Sequence, residues 1–193
     1  VSLKQRIVVI GSGPIRIGQG IEFDYGCVHA VGAIRDLGHE AIIINNNPET
    51  VSTDFDTSDR LYFDPLTLEA ISEVLLRERA HGILLQFGGQ TAINLALPLA
   101  GNLAHLSTLG LHLVMEGTTP DAIDEASDRE RFEAFAARNG LRMPRGSTAT
   151  TPDGVRQAAH EIGYPVLIKA VAGGGGKGPR GGAEHIYPRI SLG

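Results

Sequence analysis

Residues 6–20 read RIVVIGSGPIRIGQG, and this stretch decides the fold. Arg6 to Ile10 is a short continuous apolar run, the pattern of a strand buried on both faces. A glycine-rich turn follows. From about Tyr25 to Leu37 the pattern is helical, and Gly38 stands where a terminating glycine belongs. Working outward, Glu40 to Asn45 (EAIIIN) reads as the second strand and Arg60 to Phe63 as a short third. Asp64 reads as an N-cap with Pro65 at the first helical position. That helix runs to about Arg79, with Leu68, Ile71, Val74 and Leu75 on its apolar face, and Gly82 to Phe87 (GILLQF) is the fourth strand. Strand and helix alternating at this spacing predict an α/β fold with a doubly wound parallel sheet. The loops at Gly11, Asn45 and Gly88 each follow a strand and are expected together at the C-terminal edge of the sheet.

Beyond Gly89 the pattern loosens. Thr91 to Ala100 is apolar and helical in character, with Pro98 expected to end or kink it. Gly101 to Leu113 gives little signal. Pro120 to Ala126 and Asp128 to Asn139 read as two helices, with Gly140 as a stop. Thr151 and Pro152 are placed to cap and open a helix ending near Gly163. Pro165 to Ala170 (PVLIKA) is another strand, followed by a glycine run. A domain boundary is expected between Gly140 and Thr151. Fewer than 50 residues are left for a second domain, which reads as a piece of a longer fold.

Composition narrows the function classes. Of 193 residues, 42% are hydrophobic and 20% charged, which excludes wholesale disorder. No apolar run approaches the ~18 residues of a transmembrane helix, so no membrane partner is expected. The net charge of −5 makes nucleic acid a poor partner. A single cysteine, Cys27, excludes an internal disulfide and a Cys-based zinc site, and fits a reducing, cytoplasmic setting. It lies in the predicted helix beside Val28 and reads as a core residue rather than a nucleophile. The seven histidines show no metal-ligand spacing.

The 25 glycines are clustered, and the clusters carry the chemistry. GSGPIRIGQG (11–20) has the context of a phosphate-cradling turn, but its sixth position is Arg16 and no Gly-Lys-Ser/Thr follows. Asn45, Asn46 and Asn47 stand where a dinucleotide site needs an acid. Two readings remain for this turn, anion binding or close packing of helix on sheet. NNNPETVSTDFDTSD (45–59) is either a functional loop or a self-capped surface loop. QFGGQT (86–91) lies at a strand end, where open α/β sheets bind ligands. KAVAGGGGKG (169–178) is the strongest signal. Four glycines between two lysines suit a flap over a polyphosphate, and a linker is the plainer reading. SDRERF (127–132) reads as a capped, solvated helix start.

GSGPIRIGQGIEFDYGCVHAV, NNNPETVSTDFDTSDRLYFDPLTLE and QFGGQTAINLA, spanning about residues 6–96, resemble the large subunit of carbamoyl-phosphate synthase. The likeness resumes in GTTPDAIDEASDRERFEAFAARNGLRMPRGSTAT. That subunit contains two homologous ATP-grasp halves. Ile15-Arg16-Ile17 and the run from Pro48 to Asp54 resemble the second, where the first half has Asn-Pro-Ala-Thr in place of Asn47-Pro48-Glu49-Thr50. The resemblance implies a pre-ATP-grasp α/β domain over 1–120, connecting helices over 121–145, and a partial ATP-grasp small lobe over 146–193. It implies an ATP-dependent ligase of arginine and pyrimidine biosynthesis that phosphorylates carbamate. Its cofactors are ATP and Mg2+ or Mn2+, with metal ligands outside this chain. Its partners are a glutaminase small subunit and the other synthetase half, with bicarbonate, ammonia and carbamate as small substrates. By position Arg129 and Lys169 match residues that contact ATP phosphates. Gly173, Gly174, Gly175, Gly176 and Lys177 match the flap over the triphosphate. The AVAGGGGKG loop resembles instead that of biotin carboxylases, another ATP-grasp group. A non-catalytic nucleotide- or anion-binding module is the alternative from another class, and this piece alone is expected to be inactive.

Overall fold

The computed structural model describes residues 4–15, 19–143, 146–170 and 184–188, with backbone only for 129–130, 169–170 and 184–188. The chain divides into two compact units, meeting in sequence at Arg131 and Phe132.

The first unit is built on five parallel strands. They are β1 (Arg6–Ile10), β2 (Glu40–Ile44), β3 (Arg60–Tyr62), β4 (Gly82–Leu84) and β5 (Val114–Met115), in the spatial order β3-β2-β1-β4-β5. In β1 and β2, Val8, Ile10, Ile42 and Ile44 join one hydrophobic cluster, and Ile7, Val9, Ala41 and Ile43 join the other. Alternate residues point to opposite faces, so both faces need cover, and that is why these strands read as unbroken apolar runs. Helix α1 (Glu22–Asp36) covers the second face with Cys27, Ala30, Val31 and Ile34, spaced one helical stripe apart. The other face is covered by α2 (Leu68–Glu78) and α4 (Ala96–Thr108), with Ile123 of α5 (Pro120–Ser127); the short α3 (Gly89–Ile93) adds Ala92. Helices on both faces of a parallel sheet make the fold doubly wound, as the sequence predicts.

Several boundaries differ from the sequence reading. The cap of α2 is Thr67, whose side chain accepts the Ala70 N–H, and not Asp64. Thr67 sits one residue before the first buried turn, and Asp64 belongs to the loop that leaves β3. Helix α1 begins at Glu22 rather than Tyr25, and β4 stops at Leu84 rather than Phe87. Pro98 neither ends nor kinks a helix. It is the third residue of α4, where a missing N–H has no intrahelical partner to lose. The break falls earlier, between Ile93 and Ala96. Helix α4 then runs through the weak stretch after Gly101, because Leu99, Leu103 and Leu106 still share the core face.

Helix α6 (Arg129–Arg138) leads from the first unit into the second. The second unit holds the antiparallel sheet β6-β8-β7, formed by β6 (Ser147–Ala149), β7 (Val166–Ala170) and β8 (Glu184–Pro188). Helix α7 (Pro152–Ile162) has Thr151 as its cap and Pro152 in its first turn, as expected. Ala158 and Ala159 of α7 are buried with Ala149, Val155, Ile162 and Val166 packed on them. Strands β5 and β6 were not expected from sequence; they are only two and three residues long.

Candidate functional site

The loops that leave β1, β2 and β4 meet at the C-terminal edge of the first sheet. The Gly11 N–H donates to the Ile44 carbonyl at 2.9 Å, and the Gly13 N–H donates to Asn45 Oδ1 at 3.0 Å. A β-carbon on Gly11 would lie 2.3 Å from Asn45 Cγ, and one on Gly88 would lie 2.5 Å from both the Gly11 and Ile10 carbonyl oxygens. Gly13 has φ +68°, a conformation open to glycine and strained for most other residues. The Gly20 N–H donates to Glu22 Oε1 at 3.1 Å. The amides of Gly11, Gly13 and Gly20 are therefore bonded within the protein. For Gly11 and Gly13 the geometry favours close packing of three loops over an anion cradle. Asn45 explains the missing acid after β2, since its side chain turns inward to Gly13 and to Ser52 and offers no carboxylate to a ribose.

The connection 45–59 stands where a βαβ unit would carry a crossover helix. It contains one turn of 3-10 helix, Val51–Thr53, packed against α1. Asn45 Nδ2 donates to Ser52 Oγ at 3.1 Å, and the Ser52 N–H donates to the Asp24 carboxylate at 3.2 and 3.3 Å. Thr53 Oγ1 donates to the Asn47 and Thr50 carbonyls, Thr57 Oγ1 donates to the Val51 carbonyl, and Arg35 Nη1 donates to the carbonyls of Asp56 and Thr57. The loop is self-capped, and it is also fastened to α1 near both helix ends. Sequence reasoning missed Asp24 and Ser52, both of which are buried. The signal for Asp24 was its place on the α1 stripe, three residues before Cys27.

At β4 the Gln86 side chain folds back. Its Nε2 donates to the Glu116 carbonyl at 3.1 Å and its Oε1 accepts the Leu85 N–H at 3.0 Å. Cys27 is fully buried, and burial, with Asp24 nearby, pushes its thiol pKa up to about 12. It is a core residue, as the sequence reading has it. Along the β3 side, buried Glu78 accepts from Arg60 and from the Tyr62 hydroxyl, and Arg60 also pairs with Glu40 at 2.9 Å. Partial burial and the Glu78 hydrogen bond raise the Tyr62 pKa above its ordinary value. Tyr62 also lines a cavity of about 120 Å³ with Asp64, Glu73, Val74 and Arg77.

Of the residues expected to hold phosphate, Arg129 opens α6 and Lys169 stands on β7, in register with His185 of β8. Their side chains lie outside the described residues, as do Gly173, Gly174, Gly175, Gly176 and Lys177 entirely. The SDRERF segment is a capped helix start. Asp128 Oδ1 accepts the Arg131 N–H at 2.8 Å, and the Arg131 guanidinium pairs with Asp121 and Asp124. Among the described residues, no group of three or more His, Cys, Asp or Glu could hold a metal ion, and no helix is long and apolar enough to cross a membrane.

A doubly wound parallel unit with three interlocked loops at its C-terminal edge, followed by a small antiparallel sheet, defines an α/β protein of two units. Solved structures agree on the fold. The ADP complex of N5-carboxyaminoimidazole ribonucleotide synthetase superposes with TM-score 0.68 at 13% identity, covering 96% of this chain and 47% of that one. The biotin carboxylase domain of a single-chain bacterial carboxylase superposes with TM-score 0.61 at 19% identity, covering 86% and 36%.

Sequence comparison gives the family. The profile described as the carbamoyl phosphate synthase preATP-grasp domain matches residues 3–125, and that described as the carbamoyl-phosphate synthase L chain ATP binding domain matches residues 128–185. The chain belongs to the carbamoyl phosphate synthase large-chain family. It is 54% identical over 165 residues to the large chain of Methanothrix thermoacetophila and 50% identical over 189 residues to that of Methanosarcina mazei. Those matches cover 86% and 98% of this chain, but the chain spans only 15% and 17% of those relatives.

Proposed function

We propose that this chain serves, within a carbamoyl phosphate synthase large chain, the half that phosphorylates carbamate with ATP. The observation that carries an ATP-grasp synthetase half is the tandem of preATP-grasp and ATP-binding matches in one chain, in that order. Asn47-Pro48-Glu49-Thr50 supports the second half over the first. In the reaction a carbamate oxygen attacks the γ-phosphorus of ATP, the bond to the β-phosphate oxygen breaks, and carbamoyl phosphate and ADP result.

Catalysis of such a transfer rests on positioning and on neutralising the transferring phosphoryl group. Arg129, Lys169 and Lys177 supply positive charge toward the ATP phosphates in this proposal, and Gly173–Gly176 let the backbone approach them. Mg2+ or Mn2+, when bound, neutralises phosphate charge through ligands outside this chain. The proposed domains are 1–120, 121–145 and 146–193. Within the first unit, the C-terminal sheet edge is proposed to wall the site of the small acid substrate, since open parallel sheets take ligands there, with the Gly11 and Gly13 amides bonded to the protein and not to the substrate. Bicarbonate, glutamine-derived ammonia delivered by a glutaminase small subunit, and the other synthetase half complete the proposed cytoplasmic enzyme.

The AGGGGKG loop favours a second reading, a biotin carboxylase-type ligase. One pair of assays on the full-length protein separates them. Carbamate phosphorylation run backwards makes ATP from ADP and carbamoyl phosphate, and this activity is expected. Bicarbonate-dependent ATP hydrolysis stimulated by free biotin, without ATP synthesis from carbamoyl phosphate, would select the carboxylase instead.

A further inference from the structure

We propose that Asn45 is a positioning residue. Together with Ser52 and Asp24 it sets the glycine turn 11–13 at the ligand edge of the first sheet. The catalytic consequence rests on the function proposed above; the geometric one does not.

The three side chains stand directly after β2, in the 3-10 turn Val51–Thr53 and in α1, and all are buried, with Asn45 and Ser52 at 0% and Asp24 at 3% exposure. Asn45 directly follows β2 and is held there by its own N–H, which donates to the Tyr62 carbonyl at 3.0 Å. From that fixed point its Oδ1 accepts from Gly13 at 3.0 Å and its Nδ2 donates to Ser52 Oγ at 3.1 Å. The Ser52 N–H then donates to Asp24. Every donor in the series points toward the carboxylate.

That common direction gives the network its use. An asparagine amide can turn either its oxygen or its NH2 toward a neighbour. A backbone N–H can only donate, so Gly13 requires the oxygen. Gly13 thereby fixes the choice, and Ser52 Oγ, on the opposite side, accepts from the NH2 that is turned toward it. Ser52 is in turn held by Asp24 in the first turn of α1, where the helix N-terminus favours a negative charge. A fully bonded buried polar network is rigid and holds one arrangement. The turn it holds is the one against which Gly88 packs. The polar composition of the 45–59 connection follows, because it must deliver Ser52 to α1 without burying an unpaired group.

The test reads Gly13 directly. In the 193-residue chain labelled with 15N-glycine, Asn45→Ala is expected to speed Gly13 amide exchange by about tenfold or more, the equivalent of one lost hydrogen bond. Ser52→Ala, which removes an atom that does not touch Gly13, is expected to shift the Gly13 resonance and to speed its exchange in the same direction. Gly38 and Gly110, which lie in the same unit and have no heavy atom within 4 Å of a placed β-carbon, serve as folding controls and stay put. Asn45→Asp keeps an acceptor for Gly13 and lets the Ser52 hydroxyl donate to its second oxygen, so in the folded variant, checked by the same control glycines, Gly13 is expected to keep its protection. Loss of Gly13 protection in Asn45→Asp, or unchanged Gly13 exchange in the alanine variants, overturns the network.

In the full-length large chain, Ser52→Ala is expected to lower kcat for ATP formation from carbamoyl phosphate roughly tenfold, by misplacing the turn. KM for ADP should not change. A Gly13 response with unchanged kcat overturns the catalytic role alone. Absence of the reaction in the wild-type enzyme overturns the function proposed above and leaves the Gly13 readout to decide the network.

Discussion

Gly88 and Gly11 are locked together across the edge of the sheet. A β-carbon on Gly88 would stand 2.5 Å from the Gly11 carbonyl oxygen and 2.6 Å from Ala92 Cβ. The obstacle is backbone on one side and a core side chain on the other, and neither yields readily. Gly88→Ala should therefore destabilise the first unit by about 1–3 kcal/mol, the usual cost of overpacking. Gly32→Ala, inside α1 with no atom within 4 Å of the added carbon, should stabilise by about 0.5–1 kcal/mol. Urea unfolding of the two variants side by side checks the contrast, and equal effects would show that the added carbon at position 88 meets no real obstacle.

Glu78 makes the second prediction. It is buried, and it accepts from both Arg60 and Tyr62. Burial is the first cause of the raised Tyr62 pKa and the Glu78 hydrogen bond the second. Glu78→Gln removes the carboxylate and keeps the size. The Tyr62 phenol should then ionise at lower pH than in the wild type, because the neighbouring negative charge is gone while burial is unchanged. Ultraviolet titration against a Tyr62→Phe reference reads this. A phenol that titrates identically with and without the carboxylate sinks the assignment.

Cys27 gives the pH dependence of stability. Its thiol is raised from 9.0 to about 12 in the folded chain. A raised acid favours its protonated form in the fold, so the stabilisation is intact below pH 9 and is lost as pH climbs toward 12. At 1.36 kcal/mol per pH unit this is up to about 4 kcal/mol over that window. The thiol should also resist alkylation at pH 8 until the chain unfolds. Comparing urea midpoints at pH 8 and 10.5 for the wild type and Cys27→Ala isolates the effect. The wild type should lose more stability than the variant across that interval.

The parallel sheet was legible because its strands announce themselves. In RIVVI and EAIII every residue after the first is apolar and buried, as strands covered on both faces must be. Strands β5 and β6 were not legible, because Val114–Met115 follows a stretch of weak pattern and Ser147–Ala149 carries no large apolar side chain. The α2 cap was misplaced because Asp64-Pro65 imitates a helix start, and only the tertiary position of Leu68 shows that the helix begins later. The edge was legible in outline from three loops that each follow a strand. Its internal wiring was not. Asn45, Ser52 and Asp24 meet only once α1 and the 45–59 connection are laid side by side, and no local pattern reports that contact.

The last prediction concerns the phosphate-binding proposal. Lys169 stands on β7, and β7 is paired along its length with β8. A lysine on a paired strand has its backbone held, so it can meet a phosphate without the cost of ordering a loop. In the full-length protein, Lys169→Ala should lose a charged hydrogen bond of about 1.5–3 kcal/mol to the ATP phosphates. That corresponds to roughly ten- to 150-fold in nucleotide affinity. The first unit should be unaffected, because Lys169 lies in the second. Arg129→Ala should weaken ATP in the same direction, and Arg156→Ala should not, since that side chain pairs with Asp153 on the surface of α7. Calorimetric titration with ATP, alongside urea unfolding of each variant, separates binding from folding. An unchanged ATP affinity in Lys169→Ala would give that lysine a structural place on β7 and move the phosphate contacts elsewhere in the large chain.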